Sequence, residues 1–479
     1  MINLHEKIDV ARPVNEAFAY ISDFRTTQEW DATAYAAVKL TPGPVGLGTE
    51  YDVDCKLPVG SVKLRYTVTH FKRDDIIELH GVCSLFEVHD TIRFVETAGG
   101  THIDYRADFT FKVPVDSFKG AIEPGMVRMG KKALAGMKEA LDDSFDPPET
   151  SSGSKRADSM VLPGLAMFSR AGYTRGRKHW NPVSAWLGDK HVVITGASAG
   201  LGLATAHRLA EMGAELTLVI RNEKRAQALI DEIKRESGND RIRVEIADLS
   251  LMGDVDKLVA RLKRRGKPID VLVNNAGALF NPRGVTREGL EQSFALLLLS
   301  PYRLTLGLKP LLAKASDTAR VINVVSGGMY SQKLEVENLI MGESGYSGSV
   351  AYARAKRALM VITEQWAEEW ADEGIAVNAM HPGWADTPGV ETALPAFHKL
   401  TRRILRSPEE GADTIIWLAA ATEADQLTGE LFLDREPRTP YLMPSKKEAP
   451  EEREKLRDFM AEFSVPAKSS GASARKKAS

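Results

Sequence analysis

The sequence predicts a doubly wound α/β unit with a parallel sheet, preceded by a smaller α+β unit with an antiparallel sheet. Three observations carry this. From Tyr51 to Val113 apolar residues recur at every second position, the mark of strands with one buried face. From Lys190 onward, short apolar runs alternate with helical patterns, as expected for parallel strands covered on both sides. Between the two lies Asp146-Pro-Pro-Glu-Thr-Ser-Ser-Gly-Ser-Lys155, a linker by composition.

At 479 residues the chain is too long for one ordinary core. A formal net charge of -2 gives no reason to expect nucleic acid as a partner. Met1-Ile-Asn-Leu-His-Glu-Lys7 lacks the charged and then apolar regions of a signal peptide. No apolar run approaches the roughly 18 residues that span a bilayer, and Phe294 to Leu299 reads as a buried helix segment. Cys55 and Cys83 can form no disulfide framework and carry no metal-ligand spacing. The expectation is a cytoplasmic chain without a bound metal, its thiols packed in the core.

In residues 1 to 145 a first strand, Ile2 to Val10, precedes a helix over Pro13 to Ile21, then Trp30 in an irregular stretch. Val53, Cys55 and Leu57 share one parity, as do Val62, Leu64, Tyr66 and Val68, then Leu79, Gly81, Cys83 and Leu85, then Ile103, Tyr105, Ala107, Phe109 and Phe111. Lys63, Arg65, His102, Asp104, Arg106 and Asp108 take the other. His70 falls on the inward parity. A helix from Phe118 to Leu141 follows, with the stripe Phe118, Ile122, Met126, Met129, Ala133 and Met137, kinked or divided at Pro124 and Gly125. A curved sheet gripping a long C-terminal helix resembles the START-like polyketide cyclase/dehydrase superfamily, the helix-grip fold. That resemblance implies an apolar cavity for lipids, sterols or polyketides, with the methionines as an adaptable wall. Plain core packing explains the same stripe.

Residues 146 to 189 are the linker and an arm. Met160 to Phe168 is apolar, and Arg170, Arg175, Arg177 and Lys178 then interleave with Tyr173, Trp180 and Trp186. Residues 160–187 suit peripheral contact with an anionic membrane surface. An arm packed on the next domain is the favoured alternative, because no clean amphipathic helix emerges.

The large domain is placed at 190–465 and a disordered, Lys/Ser/Ala-rich tail at 466–479. His191-Val-Val-Ile-Thr195 and then Gly196-Ala-Ser-Ala-Gly-Leu-Gly202 read as a strand, a tight turn and a helix start. Glycines let backbone approach a pyrophosphate, and the helix dipole faces that anion. The second strand, Leu216 to Ile220, ends in Arg221-Asn222. An acid there would hold a ribose diol, whereas a cation suits a 2′-phosphate, so charge complementarity selects NADP(H), aided by the Ser198 hydroxyl. Strand three ends in Ala247-Asp248-Leu249 and strand four in Val273-Asn-Asn-Ala-Gly277. Strand five ends before Ser326; Tyr352-Ala-Arg-Ala-Lys356 lies on a helix, and His381-Pro-Gly-Trp-Ala-Asp-Thr387 follows strand six.

Six motifs in this order resemble the short-chain dehydrogenase/reductases, over about residues 190 to 435, in the branch close to the retinol dehydrogenases. The resemblance implies a Rossmann-like fold and assigns Ser326, Tyr352 and Lys356 to catalysis. For the cofactor it implies Gly196, Ser198, Ala199, Gly200, Leu201, Gly202, Arg221, Asp248, Leu249, Asn275, Ala276, Gly277, Pro382, Gly383 and Thr387, together with Tyr352 and Lys356. The Lys356 ammonium is expected to lower the phenol pKa of Tyr352, so that it serves as general acid in reduction and base in oxidation. One departure stands out: the family's asparagine of the proton relay aligns with Leu297, which can neither donate nor accept a hydrogen bond. Long loops carrying Met329, Tyr330, Leu339, Met341, Trp384, Val390, Leu394 and Phe397 read as an apolar lid over the substrate, or as packing or a homo-oligomer contact.

The expected function is an NADP(H)-dependent oxidoreductase that interconverts a carbonyl and an alcohol on a hydrophobic, lipid-like small molecule. An NADP-sensing lipid carrier with its chemistry quenched by Leu297 is the alternative. A cyclase or dehydratase role for residues 1 to 145 is a third, weaker reading.

Overall fold

The computed structural model describes residues 2–41, 43–56, 60–112, 119–142, 147–158, 167–177, 180, 183, 185–386, 399, 401 and 404–463. The first sheet has seven antiparallel strands: β1 (Ile2–Val10), β2 (Ala34–Lys39), β3 (Glu50–Lys56), β4 (Ser61–Lys72), β5 (Ile76–Val82), β6 (Phe86–Thr97) and β7 (Gly100–Phe111). They lie in the order β1-β7-β6-β5-β4-β3-β2. The two-residue period sorts side chains as expected: β6 buries Phe86, Val88, Asp90, Ile92 and Phe94 and turns His89 and Arg93 to solvent. Helix α1 (Val14–Ser22) adds Phe18 and Ile21 to the core, and α2 (Lys119–Asp142) runs through Pro124 and buries Leu134, Met137 and Leu141. At Gly136 a Cβ would come within 2.3 Å of the Trp30 carbonyl oxygen, so the close seat of α2 needs glycine there. Trp30 itself is buried in a short helical turn, Thr27–Trp30.

His70 overturns the parity expectation. The β4–β5 register shifts between Val68 and His70, and this bulge sends His70 to solvent while Phe71 turns toward the core. Phe118, Leu57 and Val113 lie outside the described residues, as does the side chain of Ile122.

The second sheet comprises β8 (His191–Thr195), β9 (Glu215–Ile220), β10 (Ile242–Ile246), β11 (Val271–Asn274), β12 (Ala319–Val324), β13 (Ile375–Met380), β14 (Leu431–Leu433) and β15 (Glu436–Arg438). Its order is β10-β9-β8-β11-β12-β13-β14-β15, parallel until β15 returns antiparallel through Asp434 and Arg435, both at φ 58°. Helices cover both faces. On one, α3 (Gly200–Glu211), Ala226–Ser237 and Pro408–Ala420 pack on Val192, Ile194 and Val273; on the other, Met252–Arg265, Ser300–Leu312 and α4 (Gly348–Glu369) pack on Val193, Val321 and Val377. The strands from β8 to β13 are therefore largely apolar on both sides, except the edge strand β10, where Arg243 and Glu245 take one side. Phe294 to Leu299 is buried, but Ala295–Leu299 forms a π-helical turn, not a regular α-helix. The charged C-terminal helix, Pro450–Ala461, docks through fully buried Leu456 and Met460.

The linker is more structured than its composition suggests. Ser152–Asp158 is helical, and the Asp158 carboxylate takes Arg438 Nε at 3.0 Å, pinning the segment to β15. The arm then packs on the large domain, as favoured. Phe168 is buried against Tyr330, His381 and Trp384, and Arg406 holds the carbonyl oxygens of Met167 and Ser169. Trp186 lies under the Arg73 guanidinium, 3.6 Å from its ring centre, which ties the arm to the N-terminal domain. Thr422 Oγ1 donates to Glu16 Oε1 at 2.6 Å, a second bond between the two domains.

Candidate functional site

β8 and β11 are neighbours, yet β9 and β10 continue to one side and β12 to β14 to the other, so the connections leaving β8 and β11 diverge and open a crevice. The glycine turn is locked there by side chains. Thr195 Oγ1 donates to the Val273 carbonyl oxygen at 3.1 Å and accepts from the N–H groups of Asn275 and Ala276, each at 3.0 Å. Asn275 Nδ2 donates back to the carbonyl oxygens of Thr195 and Gly196, at 2.9 and 3.2 Å. Gly196 sits at φ +67°, and a Cβ on Gly202 would lie 2.4 Å from the Gly196 oxygen, so both positions require glycine. Ala199 begins α3 with no side-chain cap, which leaves its first N–H groups and positive dipole end for an external anion. That cradle fits a pyrophosphate.

The Gly196 N–H donates to Val219 at 2.9 Å, which brings the turn, with Ser198, alongside the end of β9, where Arg221 is exposed. Past β10, Asp248 Oδ1 accepts from the Ser250 N–H and hydroxyl at 3.0 and 2.7 Å, and Leu249 is buried. Gly383 follows Pro382 after β13 at φ +70°. Thr387, Val390, Leu394 and Phe397 lie outside the described residues.

Ser326, Tyr352 and Lys356 come together on the other side of the turn. Ser326 caps a short 3-10 turn, its Oγ accepting the Gly328 N–H at 3.2 Å, and its hydroxyl is near enough to Tyr352 to act on the phenol. Lys356 Nζ lies 5.9 Å from the Tyr352 ring centre and donates to the Val324 carbonyl oxygen at 2.6 Å. Burial pushes the Lys356 ammonium down to about 7. Burial also raises the Tyr352 phenol above its ordinary range, and the Ser326 hydroxyl offsets this only in part. The expected lowering by Lys356 is not seen: burial of the phenol raises it, and the lysine beside it is itself disfavoured as a cation.

Leu297 occupies the π-turn with its side chain fully buried. A Cβ built on Gly277 would lie 3.2 Å from Leu297 Cδ2 and 4.0 Å from Lys356 Nζ, so the leucine stands beside the lysine. Behind them runs a buried polar chain: Asn274 Nδ2 donates to Thr305 Oγ1 and Asn323 Oδ1, and Asn323 Nδ2 to Thr363 Oγ1. The lid reading holds less well. Met329, Tyr330 and Leu339 are core residues, and Tyr330 Oη donates to the Thr439 carbonyl at 2.8 Å. A cleft of about 990 Å³ with mixed polar and apolar walls lies between the domains, lined by Arg25, Arg73, Trp186, Leu203, His207 and Arg435; it reaches Gly200 but not Ser326, Tyr352 or Lys356.

Some site features escape a linear reading. Phe168 of the arm reaches Gly327, where a Cβ would meet its ring at 2.8 Å, and thereby supports the loop after Ser326. His381, stacked edge-on to Phe168 at 4.6 Å, is held well below its ordinary pKa by burial. On the first sheet His80, Glu87 and His89 bring ligand atoms within 4.8 Å of one another, a grouping that spacing within a single strand does not reveal.

Residues 190–396 match the family model described as short chain dehydrogenase, and residues 1–142 match that described as polyketide cyclase / dehydrase and lipid transport. Dehydrogenase/reductase SDR family member 12 of Bos taurus is 39% identical over 312 residues, 64% of this chain and 97% of that protein. Human polyprenol dehydrogenase is 30% identical over 300 residues, 60% of this chain and 88% of the relative. Retinol dehydrogenase 13 of Mus musculus is 30% identical over 263 residues, 52% and 77% respectively. No helix among the described residues is long and apolar enough to cross a membrane.

Proposed function

Because the chain belongs to the short-chain dehydrogenase/reductase family, we propose that it is an NADP(H)-dependent oxidoreductase interconverting a carbonyl and an alcohol on a hydrophobic, lipid-like substrate. Its N-terminal domain, about residues 1 to 145, binds an apolar ligand of the same class. The gathering of Ser326, Tyr352 and Lys356 beside an uncapped glycine turn is the observation that carries this reading. A polyprenol and a retinol dehydrogenase among the relatives support the substrate class, and the match of residues 1–142 to a lipid-transport family model supports the N-terminal role.

When bound, the dinucleotide supplies or takes up hydride at the substrate carbon. The chain's own residues do the rest. Gly196 to Gly202 and the start of α3 bind the pyrophosphate, and the Arg221 guanidinium pairs with the 2′-phosphate. Asn275 holds the turn in shape. Ser326 orients the substrate oxygen, and Tyr352 gives it a proton in reduction or removes one in oxidation. Lys356 would hold ribose hydroxyls. Phe168 and Trp384 help exclude water from the crevice.

Oxidation of NADPH with a long-chain ketone should be lost, by roughly 10²–10⁴-fold, in Tyr352→Phe; turnover equal to wild type in that variant ends the assignment. The carrier reading is favoured by one observation, the apolar Leu297 beside Lys356. Tight NADPH binding with no turnover across a panel of lipid ketones and alcohols would select it.

A further inference from the structure

Within the first sheet, β6 carries one acid on its buried face: Asp90, between Val88 and Ile92 and opposite Leu79 and Ala107. Its Oδ1 accepts the Tyr105 hydroxyl at 2.6 Å, whereas its Oδ2 is buried with no hydrogen-bond partner among the described residues. The Tyr66 phenol approaches from β4. Gly81 makes room for it, since a Cβ there would come within 2.5 Å of the Tyr66 ring.

Two apolar clusters flank this trio, one around Phe18, Ile92 and Met137, the other around Leu64, Phe86 and Leu134. Tyr66, Tyr105 and Cys55 border both clusters. Asp90 itself is buried, whereas the two tyrosines beside it are only half-buried.

We propose that Asp90, with Tyr105 and Tyr66, is a polar anchor inside the N-terminal domain that recognises the carbonyl or hydroxyl oxygen of an otherwise apolar molecule. The proposal rests on the reading of that domain as an apolar ligand compartment, and adds which part of the ligand is read. An orphaned buried oxygen has lost its water without a replacement; a ligand hydroxyl donating to it, or a ligand carbonyl accepting from its acid form, restores the missing bond. Burial pushes the Asp90 carboxyl up to about 7, against the lowering hydrogen bond of Tyr105 and the nearby Tyr66 phenol, and Asp108 and Asp31 add to the rise. Cys55, whose thiol burial pushes up to about 12, borders the same two clusters from β3. In its acid form Asp90 can donate from Oδ2 to a ketone while Oδ1 keeps the Tyr105 bond.

The test uses the full chain and two probes of equal length, 2-dodecanone and dodecane, measured by displacement of a fluorescent apolar dye at pH 6. The wild type should favour the ketone by about tenfold over the alkane. Asp90→Leu, similar in size and free of the orphaned group, should erase that preference while leaving alkane displacement intact. Infrared spectroscopy of the bound ketone supplies a second readout: its carbonyl band should be red-shifted in the wild type and not in Asp90→Leu. An unchanged ketone preference and an unchanged band in the variant overturn the anchor while leaving the compartment standing. If neither probe displaces the dye from the wild type, the compartment and the anchor fall together.

Discussion

Lys356 Nζ donates a 2.6 Å hydrogen bond to the carbonyl oxygen of Val324, the last residue of β12. This bond fixes the lysine two residues before Ser326 and places its amine in a site so buried that the charged form is disfavoured. Its folded-state value, about 7, lies below the ordinary 10.5. The unfolded chain therefore holds the extra proton across that range, and the group opposes folding more and more as pH falls from about 10.5 to about 7. Unfolding free energies from urea titrations between pH 10 and pH 7 should fall more steeply in the wild type than in Lys356→Met, by up to a few kcal/mol. Parallel curves for the two proteins would show that burial does not perturb this lysine.

The Leu297→Asn substitution places an amide beside the same amine. A carboxamide at the π-turn can hold a water against Lys356, which leucine cannot. We expect a several-fold rise in kcat with little change in the KM for NADPH. We also expect a stability loss of about 1–3 kcal/mol from burying a polar group in an apolar cluster. An unaltered kcat in a folded variant means that the proton leaves by another route.

Arg221 stands exposed at the end of β9, beside the glycine turn. In Arg221→Asp the attraction to a 2′-phosphate becomes repulsion, and the new acid can accept from a ribose diol. Preference measured as kcat/KM should shift toward NADH by at least tenfold. No shift would remove Arg221 from the phosphate site.

The arm's seat depends on a buried ion pair. Arg406 is 1% exposed and reaches Asp434 at 2.6 and 2.9 Å, while the same guanidinium holds the Met167 and Ser169 carbonyls. Asp434→Asn leaves the guanidinium without its counter-charge, a loss of about 3–5 kcal/mol. Limited proteolysis should then cut near Met167 to Gly176 at protease levels that spare the wild type. Equal resistance would show that the arm is held by Phe168 packing alone.

Much of the large domain was legible because its signals are local. Glycines at 196, 200 and 202, an apolar strand before them and a helix after them are neighbours in sequence, so one short window holds the whole anion cradle. Tyr352 and Lys356 share a helix face for the same reason. Leu297 is equally visible in the sequence, and in the tertiary structure it lies against Gly277 and beside Lys356.

The sequence by itself determined the two fold classes, the order of the motifs and the charge at Arg221. Each depends on periodicity or residue type within a few positions. The tertiary structure decided what depends on partners far apart in the chain. Asp90, Tyr105 and Tyr66 come from three strands and meet only once the sheet is paired. His70 turned outward because one extra residue in β4 resets a two-residue period that has no memory beyond its neighbours. The raised phenol of Tyr352 follows from the burial that distant elements impose on it, a property that no run of residues carries on its own.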